Sequence, residues 1–262
     1  MKKFCILICT FIIIITAAGC GDTDLKSEES TENMNPSAVQ RDSENNSEKE
    51  SENDMANTNI TPVLTYFGHA TMCVVTEDNK VIYIDPYEEG DYTRTADLIL
   101  VTHGHYDHNQ LQKVENRNEN CEIITYSEAL QNGVYKTFDL PFVIVEAVEA
   151  GNNPNHDINS CVGYVLTFKN GKTLYISGDT STTNQMSELG NRNIDYAFFC
   201  CDGVYNMGNA EAAQCAEIVG AKHNIPYHNE TANGELLDKA LAEDWSAPNK
   251  IILMPGETLN IE

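Results

Sequence analysis

Val101-Thr102-His103-Gly104-His105-Tyr106-Asp107-His108 gathers four potential metal ligands within six residues. The run before it, Ala96-Asp97-Leu98-Ile99-Leu100-Val101-Thr102, is apolar with branched side chains, the pattern of a buried strand. The ligands therefore start where a strand gives way to a loop. In layered α/β proteins, sites collect at the carboxyl ends of strands. Neutral imidazole is the commonest metal ligand, and a carboxylate suits a hard or borderline cation. Three imidazoles and a carboxylate on one tight turn are too many for a single zinc, because His103 and His105 against Asp107 and His108 present two faces. Two adjacent metals fit better. The competing reading is a His-rich surface loop, which would place three of the chain's seven histidines here by accident.

Outward from this stretch, apolar runs and turn residues outline about 200 residues of one domain with a sizeable core. Strands are predicted at residues 63–67, 72–75 and 81–84, the first two flanking Gly68-His69-Ala70-Thr71 and the third ending at Asp85-Pro86. A short helix is predicted over 106–117 and strands over 121–124 and 142–145. A hairpin joins Val162–Phe168 to Thr173–Ile176 across Lys169-Asn170-Gly171. Then come a helix stub at 186–189, a strand at 194–200, a helix at 210–219, a short strand around Ile225 and Tyr227, a helix at 236–242 and a last strand at 251–253. Strands first, then βαβ-like alternation, read as an α/β domain with two packed sheets and helices outside. Within it, Tyr175-Ile176-Ser177-Gly178-Asp179 ends a strand with a glycine that permits close backbone approach and a carboxylate at the tip. Asp179 is read either as a ligand or as the N-cap of the helix stub.

His103-Gly104-His105-Tyr106-Asp107-His108 resembles the signature of the metallo-β-lactamase superfamily of metal-dependent hydrolases, and the resemblance extends over roughly residues 62–256. It implies a four-layer αββα sandwich. It also implies that His156, ahead of Val162-Gly163-Tyr164-Val165, is the third loop histidine, that Asp179 bridges both metals, and that His228, after Ile225-Pro226-Tyr227, is the last histidine. One divalent cation would then take His103, His105 and His156, and the other Asp107, His108 and His228. Zinc is the default, with manganese or iron compatible with the oxygen donors. Gly68-His69-Ala70-Thr71 and Asp202-Gly203-Val204-Tyr205-Asn206-Met207 resemble the ascorbate-phosphate lactonase-like branch. On that resemblance His69 stands behind the ligands, Asp85 braces the metal loops, and Tyr205 either reaches substrate or packs on its loop.

Residues 1–20 open with Lys2 and Lys3, continue in an apolar run too short to span a bilayer comfortably, and end in Ala17-Ala18-Gly19-Cys20. Small residues before a cysteine resemble a bacterial lipobox, so a lipoprotein signal peptide with lipid on Cys20 is expected, against an ordinary signal peptide or a transmembrane anchor. Residues 21–60, with Ser27-Glu28-Glu29-Ser30 and Ser43-Glu44-Asn45-Asn46-Ser47-Glu48, carry too little apolar surface to offset the entropy of ordering and read as an acidic tether. The hydrolase domain is expected over 61–262, outside the cell and anchored to the bacterial membrane through Cys20.

The formal charge is −24. The tether has eleven acidic residues against Lys26, Arg41 and Lys49, and the two leader lysines add two positive charges, which leaves −18 on the domain. Such a polyanion excludes nucleic acid as a partner. Of nine cysteines, Cys73, Cys121, Cys161 and Cys200 lie in apolar strand-like runs and act as small hydrophobes, so few or no disulfides are expected. The resemblance points to a small-molecule hydrolase in which a metal-bridging hydroxide attacks a lactone, ester or phosphodiester and Asp107 orients the nucleophile. True β-lactamase activity is disfavoured, since those enzymes usually lack an aspartate at the bridging position. The alternative is a non-catalytic metal-binding lipoprotein on the same scaffold.

Overall fold

The computed structural model describes residues 61–230 and 237–262. The leader, the tether and Cys20 lie outside the described residues, as does Leu236 at the start of one expected helix. In chain order the elements are β1 (Val63–Gly68), β2 (Thr71–Val75), β3 (Val81–Ile84), β4 (Ala96–Val101), a 3-10 turn (Leu111–Lys113), β5 (Arg117–Thr125), α1 (Tyr126–Ala129), β6 (Leu130–Gln131), β7 (Val134–Tyr135), β8 (Thr137–Leu140) and β9 (Val143–Glu149). They continue with β10 (Val162–Phe168), β11 (Thr173–Ile176), α2 (Met186–Leu189), β12 (Tyr196–Cys200), α3 (Asn209–Val219), β13 (His223–Tyr227), α4 (Lys239–Asp244) and β14 (Thr258–Asn260).

Two six-stranded sheets result, in the orders β14-β1-β2-β3-β4-β5 and β13-β12-β11-β10-β9-β8. The period-2 alternation of strand side chains sorts the first sheet into two faces. Leu64, Tyr66, Met72, Val74, Ile82, Ile84, Leu98 and Leu100 join the large core shared with the second sheet. Phe67, Cys73, Val81, Tyr83 and Ile99 form a smaller cluster on the outer face with Val114. Both faces are apolar because both are covered, which is why β3 and β4 read as continuous hydrophobic runs. The two sheets are also tied together at the site end. Val162 donates its amide to the Thr102 carbonyl at 2.9 Å, and the Tyr164 hydroxyl donates to the Val101 carbonyl at 3.0 Å.

The pairs β3-β4, β4-β5, β11-β12 and β12-β13 are parallel. Parallel neighbours within each sheet bring their carboxyl ends to one edge, and the loops bearing His103 to His108, Asp179 and His228 leave from such ends, while the loop bearing His156 follows the antiparallel β9. Outside the second sheet, α3 buries Ala212, Ala213, Cys215, Ala216 and Val219. No helix among the described residues is long and apolar enough to cross a membrane. The six domain cysteines are free.

Two local expectations are corrected, and one strand was not expected. Residues 106–117 are not a helix but turns and a single 3-10 turn, followed by a β5 that starts at Arg117. The Gln110 amide bonds to the Pro86 carbonyl at 2.8 Å instead of continuing a helical ladder, and Asp107 and Asn109 are poor helix formers whose side chains compete for the backbone. The expected strand 251–253 is reduced to one bridge between Asn224 and Lys250. Ile251 donates to the outward-facing Asn224 carbonyl at 2.8 Å, but two residues on, in the same phase, Pro226 has no amide to extend the ladder. The strand that does close the first sheet, β14, pairs with β1 and carries one apolar residue, Leu259, too little for a periodic signal.

Asp195 clamps the entry to β12. Its Oδ2 accepts from the Thr173 amide (3.0 Å) and its Oδ1 from Lys222 Nζ (2.7 Å). Burial raises the carboxyl pKa, but the Lys222 and Thr173 hydrogen bonds outweigh it and hold it below the usual range. A depressed carboxylate stabilises the fold above its unfolded pKa of about 3.9 and loses that contribution as pH falls through the folded value. Asp195→Asn is therefore expected to lose roughly 1–2 kcal/mol at pH 7 in urea unfolding. The gap to wild type should narrow below about pH 4.

Candidate metal centre

The site is built at strand ends. Asp85 follows β3, His103 to His108 follow β4, His156 lies in the β9–β10 connection, Asp179 follows β11, Asp202 follows β12 and His228 follows β13. His69 sits in the β1–β2 turn. Gly178, at φ 63°, sets up Asp179, and a Cβ there would meet the Val162 carbonyl at 2.7 Å. Eight described non-glycine residues have positive φ; five are asparagines, and the others are His69 (51°), Asp85 (44°) and His228 (50°). Left-handed backbone is uncommon outside glycine, with asparagine, aspartate and histidine adopting it most readily, and these three converge on one cluster.

The structure brings together all the residues predicted as ligands. His103, His105 and His156 each offer a ring nitrogen, and these atoms lie within 4.8 Å of one another. His69, Asp107, His108 and His228 form a second such group, and His103, His108 and Asp179 a third that joins the two. Asp179 Oδ2 stands 3.3 Å from His156 Nε2 and 3.2 Å from His228 Nε2, while Oδ1 is 3.5 Å from His108 Nε2. The N-cap of α2 is Gln185, so Asp179 does not cap that helix. His223, at the opposite end of β13, stacks on Tyr196 at 4.9 Å and takes no part.

Partners behind the rings decide which nitrogen faces the cluster. Asp85 Oδ2 accepts from His108 Nδ1 at 2.9 Å and from the Thr102 hydroxyl at 2.7 Å. With its proton committed to Asp85, the Thr102 oxygen can only accept from His103 Nδ1, 3.1 Å away. Asn153 Oδ1 lies 3.2 Å from His156 Nδ1, and Glu230 Oε1 2.5 Å from His69 Nδ1. For His108, His103 and His156, Nδ1 carries the proton outward and Nε2 presents its lone pair inward, the arrangement in which a carboxylate or carbonyl orients a metal-binding histidine; His69 instead stands between two carboxylates, Glu230 at Nδ1 and Asp107 at Nε2. His103 Nε2, His108 Nε2, His228 Nε2 and Asp179 Oδ1 are buried without a hydrogen-bond partner among the described residues. Buried polar atoms left this way are costly, and cations held in the neighbouring donor groups would satisfy them. The residues fit a metal.

Charge reinforces this. Burial pulls the His103 pKa down to about 2, helped by His108, and burial lowers His156 as well. Burial also opposes a charged His108, but the Asp179 and Asp85 carboxylates prevail and lift it to about 10. The same contest raises His228 through Asp179 and Glu230. Asp179 is held well below the usual range by His228 and His108 against its burial. The carboxylates draw positive charge inward, from protons or from a metal that competes for the same lone pairs.

Two residues were missed from sequence. Glu230 touches both His69 and, through Oε2 at 3.4 Å, His228 Nδ1. Asn206 Nδ2 donates to Asp179 Oδ2 at 2.9 Å and to Asp202 Oδ2 at 2.8 Å. The only available signal for Glu230 was its place two residues after His228. His69 was placed behind the ligands, yet its Nε2 is 3.2 Å from Asp107 Oδ2, inside the second donor group. Tyr205 does not pack on its loop but is exposed and lines a cavity of about 350 Å³ with His105, Asp107, His156, Asp179 and His228.

A two-sheet sandwich with a His/Asp cluster across the carboxyl ends of both sheets is the layout of a metallohydrolase of the metallo-β-lactamase fold. The β-lactamase superfamily domain matches residues 63–228. The UPF0173 metal-dependent hydrolase of Pyrococcus furiosus is 29% identical over 229 residues, covering 76% of this chain and 99% of the relative. That of Methanospirillum hungatei is 32% identical over 184 residues, 64% of this chain and 83% of the relative. A solved metal-dependent hydrolase from Parabacteroides distasonis superposes with a TM-score of 0.59 at 32% identity, covering 72% and 91%. A metallo hydrolase from Ignicoccus hospitalis, 22% identical, shares the fold with a TM-score of 0.60 over 77% and 99%. The chain belongs to the metallo-β-lactamase superfamily of metal-dependent hydrolases.

His228→Ala is expected to remove most of one metal equivalent, measured by elemental analysis after dialysis, and most of any hydrolytic activity. His223→Ala should leave both nearly intact. A loss confined to His223→Ala would place the last ligand at the wrong end of β13.

Proposed function

We propose that the protein is a binuclear metal-dependent hydrolase of lactone, ester or phosphodiester-type small molecules, held outside the cell membrane by lipid on Cys20. The observation that carries the binuclear reading is the joining of two donor groups by Asp179, whose Oδ2 is within 3.3 Å of His156 Nε2 and within 3.2 Å of His228 Nε2. His103, His105 and His156 would hold one divalent cation, Asp107, His108 and His228 the other, with Asp179 shared. Nitrogen and carboxylate donors without thiolate favour zinc, with manganese or iron as alternatives. Such cations polarise the scissile group and bring the pKa of bound water toward neutrality.

The chain's own residues supply the rest. Asp107 is half-buried and lines the cavity. Burial raises its pKa, but His69 and His108 overcome this and keep the carboxyl ionised. Ionised, it accepts a hydrogen bond from an attacking water at one oxygen while Oδ2 stays anchored on His69 Nε2. Asn206 holds Asp179 Oδ2, so the shared carboxylate keeps its orientation during turnover. The shape of the cavity comes from the loops around Asn155 and Tyr205, which the Asn155 side chain ties together by donating to the Tyr205 carbonyl at 3.1 Å.

Anchoring rests on Ala17-Ala18-Gly19-Cys20 and the Ser/Glu/Asn-rich stretch after it. The expected result is that a labelled fatty acid marks the wild type and not Cys20→Ser. Equal labelling, or a mature start at another residue, would overturn it.

Metal analysis run beside a panel of lactones, esters and phosphodiesters tests the catalytic reading. Two metals per chain with turnover of at least one class is expected. Asp179→Asn should retain at most one tightly held metal and lose activity by orders of magnitude, because an amide does not screen two neighbouring cations. Two retained metals and normal turnover in that variant would show that Asp179 is not shared. Two metals and no turnover in the wild type would favour a metal-binding lipoprotein.

A further inference from the structure

The mouth of the site combines two properties that narrow its substrate. Beside its exposed polar groups, His105 and Asn155, it carries exposed apolar side chains on the same loops. Among the described residues, the three most exposed large hydrophobic side chains are Tyr106 (74%), Val204 (74%) and Tyr205 (62%). Tyr106 lies between His105 and Asp107, and Val204 and Tyr205 follow Asp202. Exposed apolar groups usually scatter singly over a surface; here they gather on the two loops that carry site residues. These loops are also fixed in place. Asp202 Oδ1 accepts from the amides of Val204 and Tyr205, both at 2.6 Å, and Asn155 holds the Tyr205 carbonyl. On the other side, Tyr87 bridges His69 and Tyr106, with ring centroids at 5.3 and 6.0 Å. Rigid aromatics that project into solvent beside a cavity act as anchors for an apolar group at low entropic cost.

The second property is charge. Among the described residues no Lys or Arg lines the cavity, and residues 231–236 contain none in sequence. Five carboxylates, from Asp85, Asp107, Asp179, Asp202 and Glu230, are interlinked in and around the His cluster. Two divalent cations supply four positive charges, so the loaded cluster still carries one formal negative charge. A phosphate-bearing substrate finds neither an arginine fork nor a lysine here, and its own charge is opposed in a partly buried cavity where screening is weak.

We propose that the substrate is an uncharged carboxylic ester or lactone whose apolar arm lies against Tyr205, and not a phosphodiester. This rests on the hydrolase reading above. In the reaction, water adds to the acyl carbon, the bond from that carbon to the alkoxy oxygen breaks, and a proton from the water ends on the departing oxygen. The products are a carboxylic acid and an alcohol, joined in one molecule for a lactone.

The test uses the metal-loaded protein with one leaving group throughout: p-nitrophenyl acetate, p-nitrophenyl hexanoate and bis(p-nitrophenyl) phosphate. Both esters should be hydrolysed with higher kcat/KM than the phosphodiester. The hexanoate should exceed the acetate by about tenfold or more, and Tyr205→Ala should reduce that ratio to near one, chiefly through KM. Circular dichroism and metal content of the variant verify that its fold and site are retained. Faster turnover of the phosphodiester, or a hexanoate-to-acetate ratio unchanged in Tyr205→Ala, overturns the substrate assignment while the hydrolase reading stands. No turnover of any of the three with both metals bound overturns both.

Discussion

A single buried carboxylate organises the metal centre. Asp85 has no solvent exposure, accepts the Thr102 amide at 2.7 Å and the Thr102 hydroxyl at 2.7 Å, and accepts from His108 Nδ1 at 2.9 Å. It locks the end of β3 to the end of β4. Through the Thr102 hydroxyl it also sets the tautomer of His103, so one group orients a ligand in each half of the site. A buried carboxyl group is costly unless its oxygens find hydrogen-bond partners. Here those partners are groups whose other ends face the cluster. The Asp85 carbonyl in turn accepts from Thr71, whose oxygen receives the amides of Tyr87 and Glu88. The loop that places Tyr87 beside His69 thus hangs on the same residue.

Much of this was legible in the chain because strand ends announce themselves. Apolar runs that stop at Asp85, His103, Asp179 and His228 place each side chain at the carboxyl edge of a sheet, and two packed sheets with parallel strands bring those edges together. The contacts that span long separations were not legible. Glu230 meets His69 across 161 positions, and no local pattern marks it. The helix expected after His105 failed because turn-forming side chains and a hydrogen bond to Pro86 redirected the backbone, a tertiary effect that overrides helical spacing. The bridge at Lys250 stopped short of a strand because of a missing amide at Pro226, two residues further along the neighbouring edge. In that case the cause stood in the sequence, but only the register of β13 shows which way its amides face.

The cysteines illustrate how burial separates packing from chemistry. Cys161 pairs with His103 in an isolated bridge, Cys200 ends β12 and Cys201 follows it. Desolvation raises Cys161 and Cys201 to about 12 and lifts Cys200 as well. No cysteine belongs to any of the donor groups among the described residues. The donor set is one of imidazole and carboxylate even with sulfur nearby, which suits the centre to borderline cations rather than to soft ones.

The left-handed backbone of His69, Asp85 and His228 bears on the order of assembly. Strained non-glycine residues of this kind cost about 1–3 kcal/mol each and persist only where the surroundings over-determine them. The surroundings here are sheet ends: the His228 amide bonds to the His69 carbonyl at 3.1 Å, and the Asp85 amide bonds to the Leu100 carbonyl at 2.9 Å. The strands thus hold these turns in place through backbone hydrogen bonds made by the protein alone. In small zinc modules the ion folds the chain; here the turns that carry the site have backbone partners of their own on the neighbouring strands.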